Sequence, residues 1–450
     1  MAIHQAPVSA ASPLYVKGRQ MVQAIFMETL TRLDVYRAML HKVDFSEGTL
    51  TAGDVAWKIL RPPRVIAFGK AANSMAAALA EILGGGIDAG IVISPAGPTR
   101  RLERFQYFVG GHPHPTSGSL AGADAALHLV DALTNADLVI FLVSGGGSAM
   151  LEKPLDDTVT LTDLVDFNRV LVTGTLPIER MNVLRKHLSA VKGGRLALAA
   201  SPARQLTIYI SDVPADFSSM VASGPTVPDE STTGECYAIA DQFQLAEKFP
   251  ARIRRQFTEK TLQETPKPGD KRFAQSKTFC LLSNAGAVQA AKEIAGGFKF
   301  ECEADSGLQD GDYREVADQN LESLKRLAAK HPGKPVCLVA GGEVTCPVTG
   351  RGLGGRNQAY VLYAAGRISG QSRVVLSAGT DGRDGNSPSS GAVADGNTMR
   401  RAAALGMDPA AFLAESDSYH FFRTLGDTIE TGFTDNNVRD LRLLLDFNHG

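Results

Sequence analysis

Short apolar runs of strand length recur along the chain, separated by segments whose apolar residues fall three and four apart. The runs lie at residues 64–68, 90–94, 137–143, 206–210, 278–283, 335–340 and 373–378, and segments such as 70–83 and 313–330 carry the helical spacing. Strand and helix patterns alternating in this way predict βαβ units, and so an α/β fold with largely parallel sheets. Between residues 228 and 276 the alternation weakens, and 260–271 (KTLQETPKPGDK) is polar, charged and proline-containing, the composition of an exposed connection. A domain boundary is therefore expected near 236–249. It divides the chain into an N-terminal Rossmann-like α/β domain over 1–238 and a C-terminal α/β domain over 239–450, the last segment free to pack back on the first domain.

Length supports that division, because 450 residues exceed what one hydrophobic core usually organises. Charge narrows the partners. With 46 Lys plus Arg against 48 Asp plus Glu, the chain has no basic footprint for a phosphate backbone, and nucleic acid is not expected as a partner. The longest apolar runs, such as 138–143, fall far short of the ~20 residues that cross a bilayer, and no signal-peptide core precedes them. The five cysteines are odd in number and form no Cys-x-x-Cys pair, which suits a reducing compartment. A soluble cytoplasmic protein with no membrane partner is expected, and a homodimer is compatible with the sequence.

Chemistry gathers behind the strand candidates. After 138–143 come Ser144, Gly145, Gly146, Gly147 and Ser148, where glycines let backbone amides approach an anion and a helix opening at Ser148 adds its positive end. A tight turn without a ligand explains the same residues, and the loop matches neither G-x-x-x-x-G-K-[ST] nor G-x-G-x-x-G. Lys70 directly follows a strand and a glycine, and Arg356 opens a helix behind Gly352-Leu353-Gly354-Gly355. An ordinary surface lysine is the plain alternative for Lys70; a guanidinium such as Arg356 binds carboxylate or phosphate oxygens in a bidentate fork.

Carboxylates follow strands at Asp212 and Asp216, at Glu343, and at Asp381 and Asp384. Each is explained singly as a turn-former. Together, beside a lysine, an arginine and a glycine-rich loop, they suit Mg²⁺ held with substrate phosphates, and so phosphoryl transfer. His112 and His114 have no third ligand at a diagnostic spacing and read as a structural or substrate-lining loop. His187 reads as a packed helix residue, and no G-x-S-x-G elbow supports a hydrolase.

Read in order, AFGKAA, GGHPHP, SGGGSAMLEKP, RKHLSAVKGGRLA, ISDVPADF, ASGPTVPD, GGE, GRGLGGRNQ and AGTDGRDG resemble the glycerate 2-kinase family, of the MOFRL type, over nearly the whole chain. Members of that family have also been named hydroxypyruvate reductases. The resemblance implies two α/β domains with the active site in the cleft between them, and Mg²⁺-dependent transfer from ATP to D-glycerate to give 2-phosphoglycerate. It implies Lys70 and Arg356 as the basic pair and Asp212 as their acidic partner. Asp381 and Asp384 fall on the family's Thr-Asp-Gly-x-Asp stretch as metal ligands, while Ser144 to Ser148 and Lys192 fall where nucleotide phosphates are expected. The chain departs from the family at Ala215, at 386–390 and at Phe433 and Asp435. An NAD(P)H-dependent hydroxypyruvate reductase lacks its G-x-G-x-x-G fingerprint here, and a non-enzymatic sensor of a phosphorylated acid gains little from carboxylates beside its cations.

Overall fold

The computed structural model describes residues 13–174, 176–211, 221–434 and 436–447. The chain forms two compact units, Val35–Leu282 and a second made of Met1–Asp34 with Ser283–Gly450.

Val35–Leu282 opens with a small antiparallel sheet of β1 (Val43–Ser46), β2 (Thr49–Ala52) and β3 (Val55–Lys58). Its main sheet contains β4 (Arg64–Phe68), β5 (Ala89–Ser94), β6 (Phe105–Val109), β7 (Leu138–Val143), β8 (Arg204–Ser211) and β9 (Ser276–Ser283), in the order β6-β5-β4-β7-β8-β9. The β4/β5, β4/β7, β5/β6 and β7/β8 ladders are all parallel. β7 is buried at every position, as a strand covered on both faces must be. The chain steps outward from β4 to β5 and β6, then returns to the other side of β4 as β7. The strand order thus reverses between β4 and β7, the place where open α/β sheets leave a crevice for ligands.

The domain boundary differs from the one expected near 236–249. Cys236, Ile239, Leu245 and Phe249 are buried with Phe167, Leu184 and Phe257 in a helical core of their own, so the weak strand pattern there marks a helical layer and not a linker. The polar stretch 260–271 is likewise no free connection. Arg195 donates to the carbonyls of Gln263 and Glu264, Thr265 is buried, and the Asp229 amide donates to the Pro266 carbonyl.

The second unit is built on β10 (Glu301–Leu308), β12 (Val336–Gly342), β14 (Arg373–Gly379), β15 (Gly391–Asp395), β16 (Thr428–Ile429) and β17 (Asp440–Asp446), in the order β10-β12-β17-β14-β15-β16; the short β11 (Gly311–Asp312) and β13 (Val344–Thr345) pair separately. Only β10/β12 is parallel within the larger sheet. β17 runs antiparallel to both β12 and β14, and β15 antiparallel to β14, so of the largely parallel sheets expected, the first unit's main sheet is parallel in the four ladders named and the second unit's is mixed. The last segment, which the sequence left free to pack back on the first domain, supplies this inner strand, β17, to the second unit's own sheet.

Leu441, Leu443 and Leu445 of β17 pack against residues of the helices Pro13–Arg32 and Asn284–Gly297. Leu444 faces the opposite layer, which includes Tyr313–Lys330 and Arg356–Arg367. Pro13–Arg32 lies close on the sheet at Gly18, where an added Cβ would stand 2.7 Å from Val374.

Leu443 has no exposed surface. Leu443→Ala is expected to destabilise the second unit by about 2–5 kcal/mol through lost burial and a residual cavity; urea unfolding of the variant beside the parent protein measures it.

Candidate active site

In the first unit the site is assembled where β4 and β7 end. β4 exits through Gly69 at φ +114, and an added Cβ there would stand 2.4 Å from Ser144 Oγ, so no larger residue fits without displacing the loop. The next amide, of Lys70, donates to the Gly145 carbonyl at 3.0 Å, and the Ala71 amide donates to Ser144 Oγ at 3.0 Å. Lys70 and the loop Ser144–Gly147 are therefore brought together at the reversal point of the sheet. The expected helix behind the loop is only Gly147–Met150, so little macrodipole reaches an anion there. What the loop offers is close backbone.

The Ser148 hydroxyl lies 2.8 Å from that of Ser223, which donates to Asn182 Oδ1 at 3.0 Å. Ala222, Ser223 and Gly224 all hold left-handed backbone (φ 51, 61 and 61), a conformation costing ~1–2 kcal/mol for each non-glycine residue. An added Cβ on Gly147 would meet Ala222 Cβ at 2.8 Å, so the glycine loop and this strained turn fit one another. Strained backbone of this kind collects at functional sites.

The GGHPHP loop, which follows β6, reaches the same place. A Cβ built on Gly146 falls 3.0 Å from His112 Cδ2 and 3.4 Å from Lys70 Cγ, so imidazole and lysine flank one glycine. Burial, then the charges of Lys70 and His114, lower the His112 pKa below its usual value.

Lys192 is elsewhere. It is buried, its ammonium pairs with Glu152 and also donates to the Leu151 carbonyl at 3.4 Å, and Glu152 accepts from the Ser189 hydroxyl at 2.7 Å. Lys192 thus pins the residues that follow the glycine loop and faces no open space, contrary to a direct contact with nucleotide phosphates. Asp212 lies outside the described residues.

In the second unit Arg356 opens the helix Arg356–Arg367. Its Nε and Nη2 donate to the two oxygens of Asp440 at 2.6 and 2.9 Å, and Nη1 lies 3.0 Å from Glu343 Oε1. Burial would lower the Arg356 pKa, but Asp440 outweighs it and the group is held above its usual value. Conversely, burial pushes fully enclosed Asp440 upward and Arg356 brings it below the ordinary carboxylate range. Arg439 joins the cluster through Glu343, whose Oε2 lies 3.7 Å from its Nε, and pairs with Asp310 at 3.0 Å.

Asp384 does not stand as the expected metal ligand. Gly355 at the N-cap has no side chain, and Asp384, fully buried, supplies the cap instead by accepting the amides of Asn357 and Gln358 at 3.0 and 2.9 Å. An added Cβ on Gly355 would collide with this carboxylate at 2.3 Å. Asp381, half-buried, accepts the Arg383 amide at 3.1 Å in a local turn and, among the described residues, keeps its other oxygen available. Among the described residues no group of three or more His, Cys, Asp or Glu side chains is arranged around a metal position. Asp440, the residue that sequence reasoning passed over, carried a signal: DLRLLLD sets an Asp and an Arg inside a strand that is buried throughout.

The chain matches the family described as Domain of unknown function (DUF4147) over residues 21–258 and the MOFRL family over residues 336–440. A D-glycerate 2-kinase of Thermotoga maritima is 36% identical over 382 residues, covering 84% of this chain and 89% of that protein. A glycerate 2-kinase of Pyrococcus horikoshii is 31% identical over 417 residues, covering 92% of this chain and 94% of that one. The crystal structure of a glycerate kinase from Thermotoga maritima aligns with a TM-score of 0.83 at 31% identity, over 95% of this chain and 99% of that chain.

Burial raises the Asp384 pKa from 3.8 to about 7 despite its helix amides. Between those values the folded chain holds a proton that the unfolded chain has lost. The group's favourable contribution is therefore complete below about pH 4 and disappears as pH rises through 7. Urea unfolding at pH 5 and pH 8 should show a loss on the order of a few kcal/mol from this group in the parent protein, and a smaller difference in Asp384→Asn.

Proposed function

This chain belongs to the glycerate 2-kinase family, and we propose that it transfers the terminal phosphoryl group of ATP to the 2-hydroxyl of D-glycerate, giving ADP and 2-phosphoglycerate. The observation that carries the reading is the meeting of Lys70 with the Ser144–Gly147 backbone at the reversal point of a parallel sheet. Phosphoryl transfer depends on positioning and charge neutralisation more than on covalent chemistry, and this place in the sheet offers a lysine beside close backbone.

In this reading Ser144, Gly145, Gly146, Gly147 and Ser148 cradle nucleotide phosphates, and Lys70 neutralises charge on the group in transfer. Lys192 acts from behind, holding Glu152 and so the end of the loop. Arg356 is the fork for a carboxylate or phosphate. Asp440 fixes its plane, and Glu343, whose side chain is 44% exposed, is the partner that an incoming anion replaces. Asp212 orients the attacking hydroxyl. Mg²⁺ commonly rests on one or two carboxylates with nucleotide oxygens completing its shell, and Asp381 has the free oxygen for that role, whereas Asp384 is spent on helix amides. When bound, the ion neutralises phosphate charge.

The free cysteines, none in a disulfide among the described residues, support a reducing cytoplasmic setting. Among the described residues no helix is long and apolar enough to cross a membrane. A nicotinamide-dependent reductase finds no support at the first turn of the main sheet, which reads Gly69-Lys70-Ala71-Ala72 in place of G-x-G-x-x-G.

Coupled ADP release with ATP, Mg²⁺ and D-glycerate, run beside NADH and NADPH oxidation with hydroxypyruvate, tests the reading. Glycerate-dependent ADP release is expected; nicotinamide oxidation without it would overturn the kinase. Chelation should abolish turnover, and added Mg²⁺ should restore it. Arg356→Lys keeps the charge but loses the planar fork, and kcat/KM for glycerate is expected to drop roughly 10²-fold or more. Asp212→Asn should lower kcat more than nucleotide affinity.

A further inference from the structure

We propose that His112 is a further catalytic group, its imidazole taking the proton of the attacking hydroxyl as the phosphoryl group is transferred; this rests on the kinase reading above. Three loops, following β4, β6 and β7, meet at Gly146. Lys70 comes from the first, the glycine turn from the third, and His112 reaches across from the second, its ring edge 3.0 Å from the Cβ position that Gly146 leaves empty. A side chain at 146 would press into the ring, so glycine there serves the seat of His112 as well as the turn itself at φ +81.

Neither ring nitrogen of His112 has a hydrogen-bond partner among the described residues, in contrast to His187, whose Nδ1 is engaged by the Val183 carbonyl. The ring lies partly exposed, with one edge against the loop proposed to carry the phosphates. The charged and titratable groups acting on it are Lys70, beyond β4, and His114, on its own loop. Burial and both of these disfavour the imidazolium, so near neutral pH the ring is uncharged and able to accept a proton.

The step balances within the proposed reaction. The O–H bond of the substrate hydroxyl breaks and its proton passes to an imidazole nitrogen; the oxygen's electron pair forms the new O–P bond; the bond from the terminal phosphorus to the bridging oxygen breaks, and ADP departs. The imidazolium beside Lys70 then releases its proton to solvent on its exposed side. A base of this kind contributes typically ~10²–10⁴-fold.

The test uses full-length protein with His112→Ala and His112→Gln, steady-state kinetics with ATP, Mg²⁺ and D-glycerate from pH 5 to 9, and circular dichroism to establish folding. The expected result is a fall in kcat of roughly 10²-fold in both variants, with each KM within about threefold of the parent. The acidic limb of the parent's pH–kcat profile should vanish in both variants. Imidazole added to His112→Ala should restore turnover, which a packing role for the ring does not predict. A His112→Gln enzyme turning over within about threefold of the parent overturns the proposal, as does an acidic limb that persists in both variants. Absence of glycerate-dependent ADP release in the parent protein defeats the kinase reading itself, and with it this step; that outcome is read before any variant is assayed.

Discussion

Two hydrogen bonds from backbone amides hold the first unit's chemistry in place: the Lys70 amide on the Gly145 carbonyl and the Ala71 amide on the Ser144 hydroxyl. They join the ends of the two strands between which the sheet reverses its order, and they demand a separation that only glycine at 69 permits. With that separation fixed, the Lys70 side chain starts beside the glycine loop, its Cγ 3.4 Å from the Cβ position that Gly146 leaves empty. The left-handed turn at 222–224 and the His112 ring then close on the same loop from other directions. The site is an intersection of steric exclusions more than a sum of attractions, as expected where backbone must approach a ligand.

The second unit meets a different constraint, because charges are carried inside a sheet. Asp440 and Arg442 lie one after the other on the same face of β17, with no exposed surface. Asp440 is neutralised by Arg356. Arg442 donates to the Gly341 carbonyl at 2.8 Å and lies over the Tyr360 ring at 5.4 Å. Burial costs an isolated ion far more than its partner returns unless hydrogen bonds fill the remaining positions, so such groups persist where geometry needs them. Here Asp440 sets the plane of Arg356, while Asp384 secures the helix that carries it. The two positions read as metal chemistry from sequence divide accordingly: Asp384 is taken up by helix amides, and Asp381 keeps an oxygen available among the described residues.

Much of this was legible before the structure. The runs at 64–68 and 313–330 match strand and helix bounds, since a strand buried over its last four residues and an amphipathic helix both write a strong pattern. β10 and β17 escaped because their residues, ECEADSGL and DLRLLLD, interrupt apolar patterns with charges. The boundary was misplaced because a helical core at Cys236–Phe257 contains no strands, and absence of strand pattern resembles absence of structure. Lys70 and the glycine loop were readable as candidates from their places behind strands, and Arg356 from its place at the start of a helix behind glycines. Glycine-adjacent contacts at Ala222 and His112, and the buried partnership of Lys192 with Glu152, depend on approaches between distant segments that no local spacing records.

The position of β17 bears on the order in which the molecule can be made. Val35–Leu282 is one continuous stretch, so a ribosome delivers all of its strands before much of the other unit exists. The other unit opens with Pro13–Arg32 and has, between β12 and β14, a strand translated after every other one described. Until residues 440–446 emerge, β12 and β14 lack their shared neighbour and expose pairing edges, the state most prone to join another chain. An early helix must therefore wait through most of translation for the sheet it covers, and a ribosome stalled shortly before codon 440 leaves a finished first unit tethered to an unfinished second.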